Sequence, residues 1–477
     1  MTRPDAPSPA KAQLGLGDTI SIIVGIVIGV SIFRVPPAVF ANTSDAWEGL
    51  AAWLAGGLLS LLGAFCFAEL ATTYPRSGGI YVYLTRAFGP SLGFLFGWAQ
   101  LVAIATGSIG AVAYVFADYS VELFDTSPRS AVWFAVAAVM ALTLANLLGL
   151  GFGKTTQNVL TLAKIIGLLL VIGAGVAATG PAEIESIARE RQGPGNFGLA
   201  MILILFAYGG WSDAAYVTAE IRQPQRNIPW ALAGGIGAIT LLYLLVNVAY
   251  LAGLGLPALR ESQAPAADLL REAIGPASAH AISLLVMVSA LGAVSGMVLT
   301  GSRVYTVLGE DHSLFRGLAH QQRRSGAPLV SLLVQAAVSV VWILAVGSTM
   351  GRGLIDAVCK ALHLPALPWE RFGGGFDTLI AATAPVFWLF FLLTGVALLV
   401  LRRKDRDRPR PFETPWHPLV PIVFCATSLY MLLASVRYAG TLSLLGLVSL
   451  AVGVPLYVAS RKLSGDKAES GDRKADG

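Results

Sequence analysis

Charge is what this sequence has least of. Asp, Glu, Lys and Arg make up 13% of its 477 residues, 55% are hydrophobic, and mean hydropathy is +0.69. Soluble globular domains carry about 25% charged residues, so this balance excludes an ordinary soluble fold. Cysteine is scarce too. Cys66, Cys359 and Cys425 imply no disulfide framework, the first and last falling inside apolar runs. No Cys-x-x-Cys occurs, no His/Cys pair has metal-ligand spacing, and the five histidines are scattered, so no metal is expected. Gly-x-Ser-x-Gly, His-Glu-x-x-His and paired catalytic carboxylates are all missing. No catalytic residue, no enzyme activity and no cofactor is therefore expected. The run Leu148 to Thr155 imitates a phosphate loop, but Leu148 fills the required first glycine position and no strand precedes it. It reads as a tight turn.

The sequence has long runs almost free of charge instead. Each is about 20 residues or more, enough to cross the hydrocarbon core of a lipid bilayer. Twelve spans are expected, over 16–40, 48–73, 88–120, 130–149, 155–178, 197–219, 229–255, 278–307, 327–347, 376–401, 414–436 and 441–460. They form one membrane domain over 14–460. A polar, Pro-rich tail at 1–13 is expected to be disordered, and the polar tail at 461–477 mobile. The first run extends too far for a removable signal peptide. No soluble domain fits between the spans. The longest loops lie near 180–196, 256–277 and 348–374, and in them 266–274 and 354–363 read as short amphipathic interface helices or plain loop. With a cytoplasmic N-terminus, inner segments together with Arg303 at the inner end of span eight hold 22 of the 33 Lys and Arg and outer segments 9, while Arg34 and Lys164 lie in or beside spans. That bias predicts two cytoplasmic termini. The basic stretch Arg402 to Arg410 reads as a topology anchor on that face, not as a site for nucleic acid or a specific lipid.

Two spans are broken by glycine about 180 residues apart, at Gly25-Ile26-Val27-Ile28-Gly29-Val30-Ser31-Ile32-Phe33 and at Phe206-Ala207-Tyr208-Gly209-Gly210-Trp211. Lipid offers no replacement for a lost backbone hydrogen bond, so such breaks persist only against protein or a cavity. For one glycine pair, close helix packing explains as much, and Gly25 and Gly29 form a Gly-x-x-x-Gly. Paired breaks point instead to a transporter's binding site. Free amides at the start of a second half-helix suit a carboxylate, and free carbonyls at the end of a first half-helix suit an ammonium. An amino acid carries both groups on one carbon. The amides of Val30, Ser31 and Ile32 are expected to take the carboxylate. The carbonyls of Ile28, Phe206, Ala207 and Gly209 are expected to take the ammonium.

At these residues the chain resembles a known family. Gly25 to Phe33 is similar to the G-x-I-I-G-S-G-I-F motif of the amino acid–polyamine–organocation superfamily, and Phe206 to Trp211 to the F-A-Y-G-G-W of its L-type amino acid transporter branch. Leu59 to Ala64, Ala68-Glu69-Leu70, Pro75 to Gly79, Gln157-Asn158, Thr161 to Lys164, Gly301-Ser302-Arg303 and Arg410-Pro411-Phe412 extend the resemblance over about 14–460. It implies an all-α membrane fold of two inverted five-helix repeats, about 14–178 and 197–401, with two extra helices over 414–460. There are departures. The family's Ser-Gly in span one is Val30-Ser31 here, its Asn after the Trp in span six is Ser212, Asp213 follows, and Arg34 stands where an apolar residue is usual.

The resemblance makes Phe206 an aromatic gate over bound substrate, against the plainer reading that it only packs in the bundle. Arg34 either draws anions into an outer vestibule or snorkels to the interface. Glu220 is expected in an inner ion pair, with Arg222 and Arg226 nearby. Lys164 matches a span-five lysine that, in the family, stands where sodium-coupled relatives bind an ion. It lies about ten residues into its span, roughly 15 Å at helical rise, which argues against simple snorkelling. Its ammonium is expected to reach the carbonyls of Gly25 and Ile28 and a span-eight hydroxyl, Ser295 or Thr300. Loss of its proton would release the broken helix and couple transport to pH.

The expected protein is a multi-pass transporter of the cell membrane that moves small or medium neutral L-amino acids by alternating access without sodium. Exchange and proton-coupled uptake both fit. A cationic amino acid or polyamine carrier is the alternative substrate class, with Asp213 the one acidic candidate in the pocket. A sensor that binds without transport is the alternative of another class, but the tails are short for one. Some animal members of the branch bind a single-span glycoprotein through a cysteine between spans three and four. Val121 to Pro128 holds none, so no obligatory heavy-chain subunit is expected.

Overall fold

A computed structural model describes residues 13–178, 195–262, 264–275, 279–322, 326–372 and 374–475. The expected disordered tail and the loop near 180–196 lie almost wholly outside these residues. The described chain is helical, with one isolated bridge, Leu14 to Ile221, and no strand. Ten helical stretches are long and apolar enough to cross a membrane. One of them, Leu419–Lys462, contains two helices separated by the turn Gly440–Leu442, and the first span, Leu16–Val27, is too short to be counted. With that stretch split and the short span added, all twelve expected spans are present.

Span one runs over Leu16–Val27 and resumes at Ser31–Phe33 and Pro36–Ala41. Spans two to five are Ala46–Thr73, Pro90–Leu123, Ala131–Leu147 and Leu150–Ala178. Span six is Phe197–Ala207 followed by Trp211–Glu220, and spans seven to ten are Pro224–Glu261, Ala279–Asp311, Leu329–Gly347 and Gly375–Lys404. Leu419–Ala439 and Ser443–Ala475 complete the set. The last helix does not stop near residue 460, where the sequence suggested a tail. Both segments left open between interface helix and loop are helical, as Pro265–Ile274 and Thr349–Ala361.

Spans one and six form the centre. The first half of span one packs on spans five, seven and eight, and the second half of span six on spans one, two, seven and eight. Span one stops because Ile28 leaves helical geometry, with ψ at 72°. Span six stops at Gly210, whose φ of +104° is a left-handed conformation that a side chain would strain. A Cβ there would also meet Ile26 of span one, so the two breaks touch through this glycine. Beyond it the chain winds in 3-10 turns over Trp211–Glu220, broken by a kink at Val217.

The basic stretch after span ten does more than mark a face. Arg402 and Arg410 turn inward to the buried Glu69 of span two, at 2.6 and 3.4 Å. Arg408 donates to the Thr73 carbonyl at 3.0 Å and lies over the Tyr74 ring. The stretch therefore pins span ten to span two.

Candidate functional site

A cavity of about 150 Å3 lies between the two breaks, lined by spans one, three, six, eight and ten. Val30 and Ser31 line it from span one, and Phe206, Ala207 and Gly209 from span six. Ile28, Ile32 and Ser212 are not among its lining side chains. Among the described residues no Lys, Arg or His reaches it, and Asp213 is its one charged group. The amides of Val30, Ser31 and Ile32 have no hydrogen-bond acceptor among the described residues. They stand at the start of the second half of span one, where helical dipoles leave partial positive charge.

The carbonyl side of the break is the opposite case, because the protein satisfies it from within. Lys164 Nζ, fully buried, donates to the carbonyls of Gly25 at 2.7 Å, Ile28 at 2.6 Å and Ser289 at 3.0 Å. Ser289 Oγ lies 2.8 Å from the Gly29 carbonyl and 3.2 Å from that of Ile28. The Tyr243 hydroxyl of span seven stands 2.9 Å from the Val27 carbonyl and 3.2 Å from that of Ala207. Gly25 is where span five comes closest. A Cβ there would strike Gln157 Nε2 and Thr161 Oγ1.

Two expectations change here. The span-eight partner of Lys164 is the backbone of Ser289, not the hydroxyl of Ser295 or Thr300. Ser295 Oγ is buried without a partner, and Thr300 Oγ1 donates to Gly296 of its own helix at 2.9 Å. The lysine reaches span eight about two to three turns earlier than the sequence suggested. The Ile28 carbonyl accepts from Lys164 at 2.6 Å and shares the single Ser289 hydroxyl hydrogen with Gly29, so it is already engaged by the protein rather than free for a ligand ammonium. Phe206 and Gly209 keep accepting capacity, and Ala207 shares its oxygen with Tyr243.

Phe206 and Phe376 of span ten both line the cavity, and their rings meet edge-on at 6.2 Å. The Arg34 guanidinium lies 5.5 Å over Phe376 and pairs with Asp377 at 2.9 Å. Arg34 therefore neither hangs free nor merely snorkels. Ahead of span one, the chain is tied to the end of span six. Gln13 and Leu14 both donate to the Glu220 carbonyl at 2.9 Å, and the Arg222 amide donates to Leu14 at 2.8 Å. The Glu220 carboxylate is held by Arg303 of span eight at 2.9 and 3.3 Å. Arg303, which the sequence did not suggest, is thus a partner of Glu220.

Sequence reasoning missed Tyr243, Ser289, Asp377 and Gln100. Tyr243 and Ser289 act on backbone carbonyls, which have no sequence signature. Asp377 is 343 residues from its partner. Gln100 opens a π-helical turn over Gln100–Ile104 in span three, and such turns recur at functional sites.

A family model described as amino acid permease matches residues 14–458. The chain is 31% identical over 434 residues to the b(0,+)-type amino acid transporter 1 of Mus musculus, covering 89% of this chain and 83% of that protein. It is 28% identical over 460 residues to the serine/threonine exchanger SteT of Bacillus subtilis, covering 95% and 97%. It is 28% identical over 458 residues to the large neutral amino acids transporter small subunit 2 of Mus musculus, covering 94% and 80%. Twelve apolar spans, a cavity between two broken helices and this match over nearly the whole chain lead to one conclusion: this multi-pass membrane protein belongs to the amino acid permease family.

Proposed function

We propose that the protein carries small to medium neutral L-amino acids across the cell membrane by alternating access, without sodium. One observation carries this reading. The unpartnered amides of Val30, Ser31 and Ile32 sit at a cavity with no basic side chain among the described residues. An anionic group entering there finds backbone donors and a positive helix end, and a carboxylate fits both. The ammonium faces the carbonyls of Phe206 and Gly209. The branched Val30 and the Ser31 side chain narrow the space around the α-carbon, which favours small substrates. Phe206, backed by Phe376 and the Arg34–Asp377 pair, closes the mouth over bound substrate. Separation of Leu14 from Ile221 and of Glu220 from Arg303 opens the other side, and the Lys and Arg bias supports reading that side, with both termini, as cytoplasmic.

Lys164 supports the sodium-free part. Its ammonium already occupies the carbonyls that a bound cation would need. The chain works without a heavy-chain partner, since no cysteine is available between spans three and four.

Purified protein in liposomes tests this with labelled alanine, serine, leucine, lysine and glutamate, with and without internal substrate and sodium. The expected result is uptake of neutral substrates, stimulated by internal substrate and indifferent to sodium. Absence of any counterflow, or strict sodium dependence, overturns the reading.

A further inference from the structure

Asp213 is the group in the cavity that the functional reading leaves unused. It stands in the first turn after the span-six break, with its amide on the Gly210 carbonyl at 3.2 Å. Ser212 Oγ lies 3.5 Å from its carboxylate, and Thr300 of span eight is within hydrogen-bonding reach. Among the described residues, the other groups lining the cavity around it bring no positive charge. Tyr216 of span six and Tyr305 of span eight face it as phenols. Span three brings Gln100, whose Nε2 donates to the Tyr216 hydroxyl at 2.9 Å. Spans one and ten bring no titratable side chain to the cavity wall. The nearest basic groups are committed elsewhere. Lys164 is held by three carbonyls and does not line the cavity, and Arg303 is held by Glu220.

An ionised carboxylate inside a membrane protein, cut off from water and without a counter-charge, is costly. While the cavity is open, water meets that cost. When both mouths close, a cation has to. A zwitterionic substrate does not supply one, because its ammonium faces Phe206 and Gly209. Asp213 lies three residues beyond Gly210, about 6 Å deeper at 3-10 rise.

We propose that Asp213 carries the proton that is co-transported with each substrate molecule. The proposal rests on the transport reading above and adds the coupling ion. Water on the open side donates a proton to a carboxylate oxygen of Asp213. The O–H bond persists through occlusion, and the proton returns to water on the other side. The Ser212 hydroxyl donates to the carboxylate when it is ionised and accepts from it or turns aside when it is protonated, while Thr300, whose hydrogen lies on the Gly296 carbonyl, offers a lone pair to the protonated acid.

The test uses the full-length protein in liposomes, with labelled alanine and a trapped pH dye. With the outside more acidic by one unit, one-to-one coupling allows about tenfold accumulation. The wild type is expected to accumulate alanine toward that limit, lose the accumulation with a protonophore, and move about one proton per alanine. In Asp213→Asn the ratio of uptake with the gradient to uptake without it is expected to fall to about one, whatever the absolute rate. Asp213→Glu should restore part of the response. Wild-type counterflow without any gradient-driven accumulation, or net alanine uptake with no proton movement, overturns this proposal and leaves the transport reading standing, whereas no counterflow overturns the transport reading itself. A gradient response that survives in Asp213→Asn also overturns the proposal. So does selective loss of lysine counterflow in that variant, which would make Asp213 a partner for substrate side chains. The wild-type dye measurement decides the question even if both variants fail to reach the membrane.

Discussion

At the scale of residues, the broken span is asymmetric. Its carbonyl end is saturated by Lys164, Ser289 and Tyr243, and its amide end is open. Lys164→Ala leaves the carbonyls of Gly25 and Ile28 short of their strongest donor. Each buried group so orphaned costs about 1–3 kcal/mol. Transport is therefore expected to fall by at least tenfold while membrane expression stays near wild type, as read by liposome uptake beside a fluorescence-detected sizing profile. Wild-type uptake is expected to be the same in sodium and in choline. Val30→Ser with Ser31→Gly enlarges the space beside the amides and should widen the range of accepted amino acids. An unchanged substrate ranking would move the size filter to another wall of the cavity. The two acceptors of Lys164 on span one were legible in the sequence, because the break and the family motif fix both positions. Its third acceptor was not. A helix offers a carbonyl at every residue, and the one that meets an ammonium depends on how spans five and eight cross.

At the scale of elements, the breaks hold their shape through close approach. Gly25 leaves no room for a methyl group against Gln157 and Thr161, and Thr161 is itself anchored on the Ser21 carbonyl at 3.1 Å. Gly25→Ala is expected to push span one from span five at a cost of about 1–3 kcal/mol. A lowered thermal midpoint in detergent together with impaired transport would show it. Midpoint and uptake both at wild-type values would mean that the contact yields. The sequence located both breaks because glycine pairs in apolar runs are visible by eye. It left the pairing of their ends open. Arg34 with Asp377, and Glu220 with Arg303, join elements far apart in the chain, and charge in a loop or at a span end carries no address. The spacing alone favoured Arg222 and Arg226 for Glu220, simply because they are close in sequence.

At the scale of the whole molecule, ionic contacts on the face of the chain's first residues decide how the bundle tolerates acid. Asp405, in the segment after span ten, accepts from Arg86 Nε at 2.6 Å and from the Tyr74 hydroxyl at 2.8 Å. The Arg86 hydrogen bond holds its carboxyl below the usual carboxylate range. A depressed carboxyl pKa adds stability above the unfolded value, about 3.9, and that stability disappears as pH falls through the folded value. The thermal midpoint is therefore expected to drop below about pH 4, and Asp405→Asn should lower it at pH 7 while flattening the acid decline. An acid decline as steep in the variant as in the wild type would assign it to other carboxylates. Assembly belongs to this scale as well. One relative is by name a small subunit, whereas here the segment Val121 to Pro128 has no cysteine. Uptake by the chain expressed alone is the expected outcome, and activity only on co-expression of a second subunit would refute it.

The Tyr243 hydroxyl faces two carbonyls, one on each broken helix, and owns a single hydrogen. It can satisfy Val27 or Ala207 fully, but not both at once. When one half-helix swings away, the hydrogen can settle on the one that stays, so the departing helix leaves without stranding a bond. The tyrosine thus acts as a hand-off between the two moving parts and lowers the toll of moving either. Its removal, as in Tyr243→Phe, strands both oxygens together. The slowed step should then be the reorientation of the carrier, visible as a loss of turnover at saturating substrate with little change in apparent affinity.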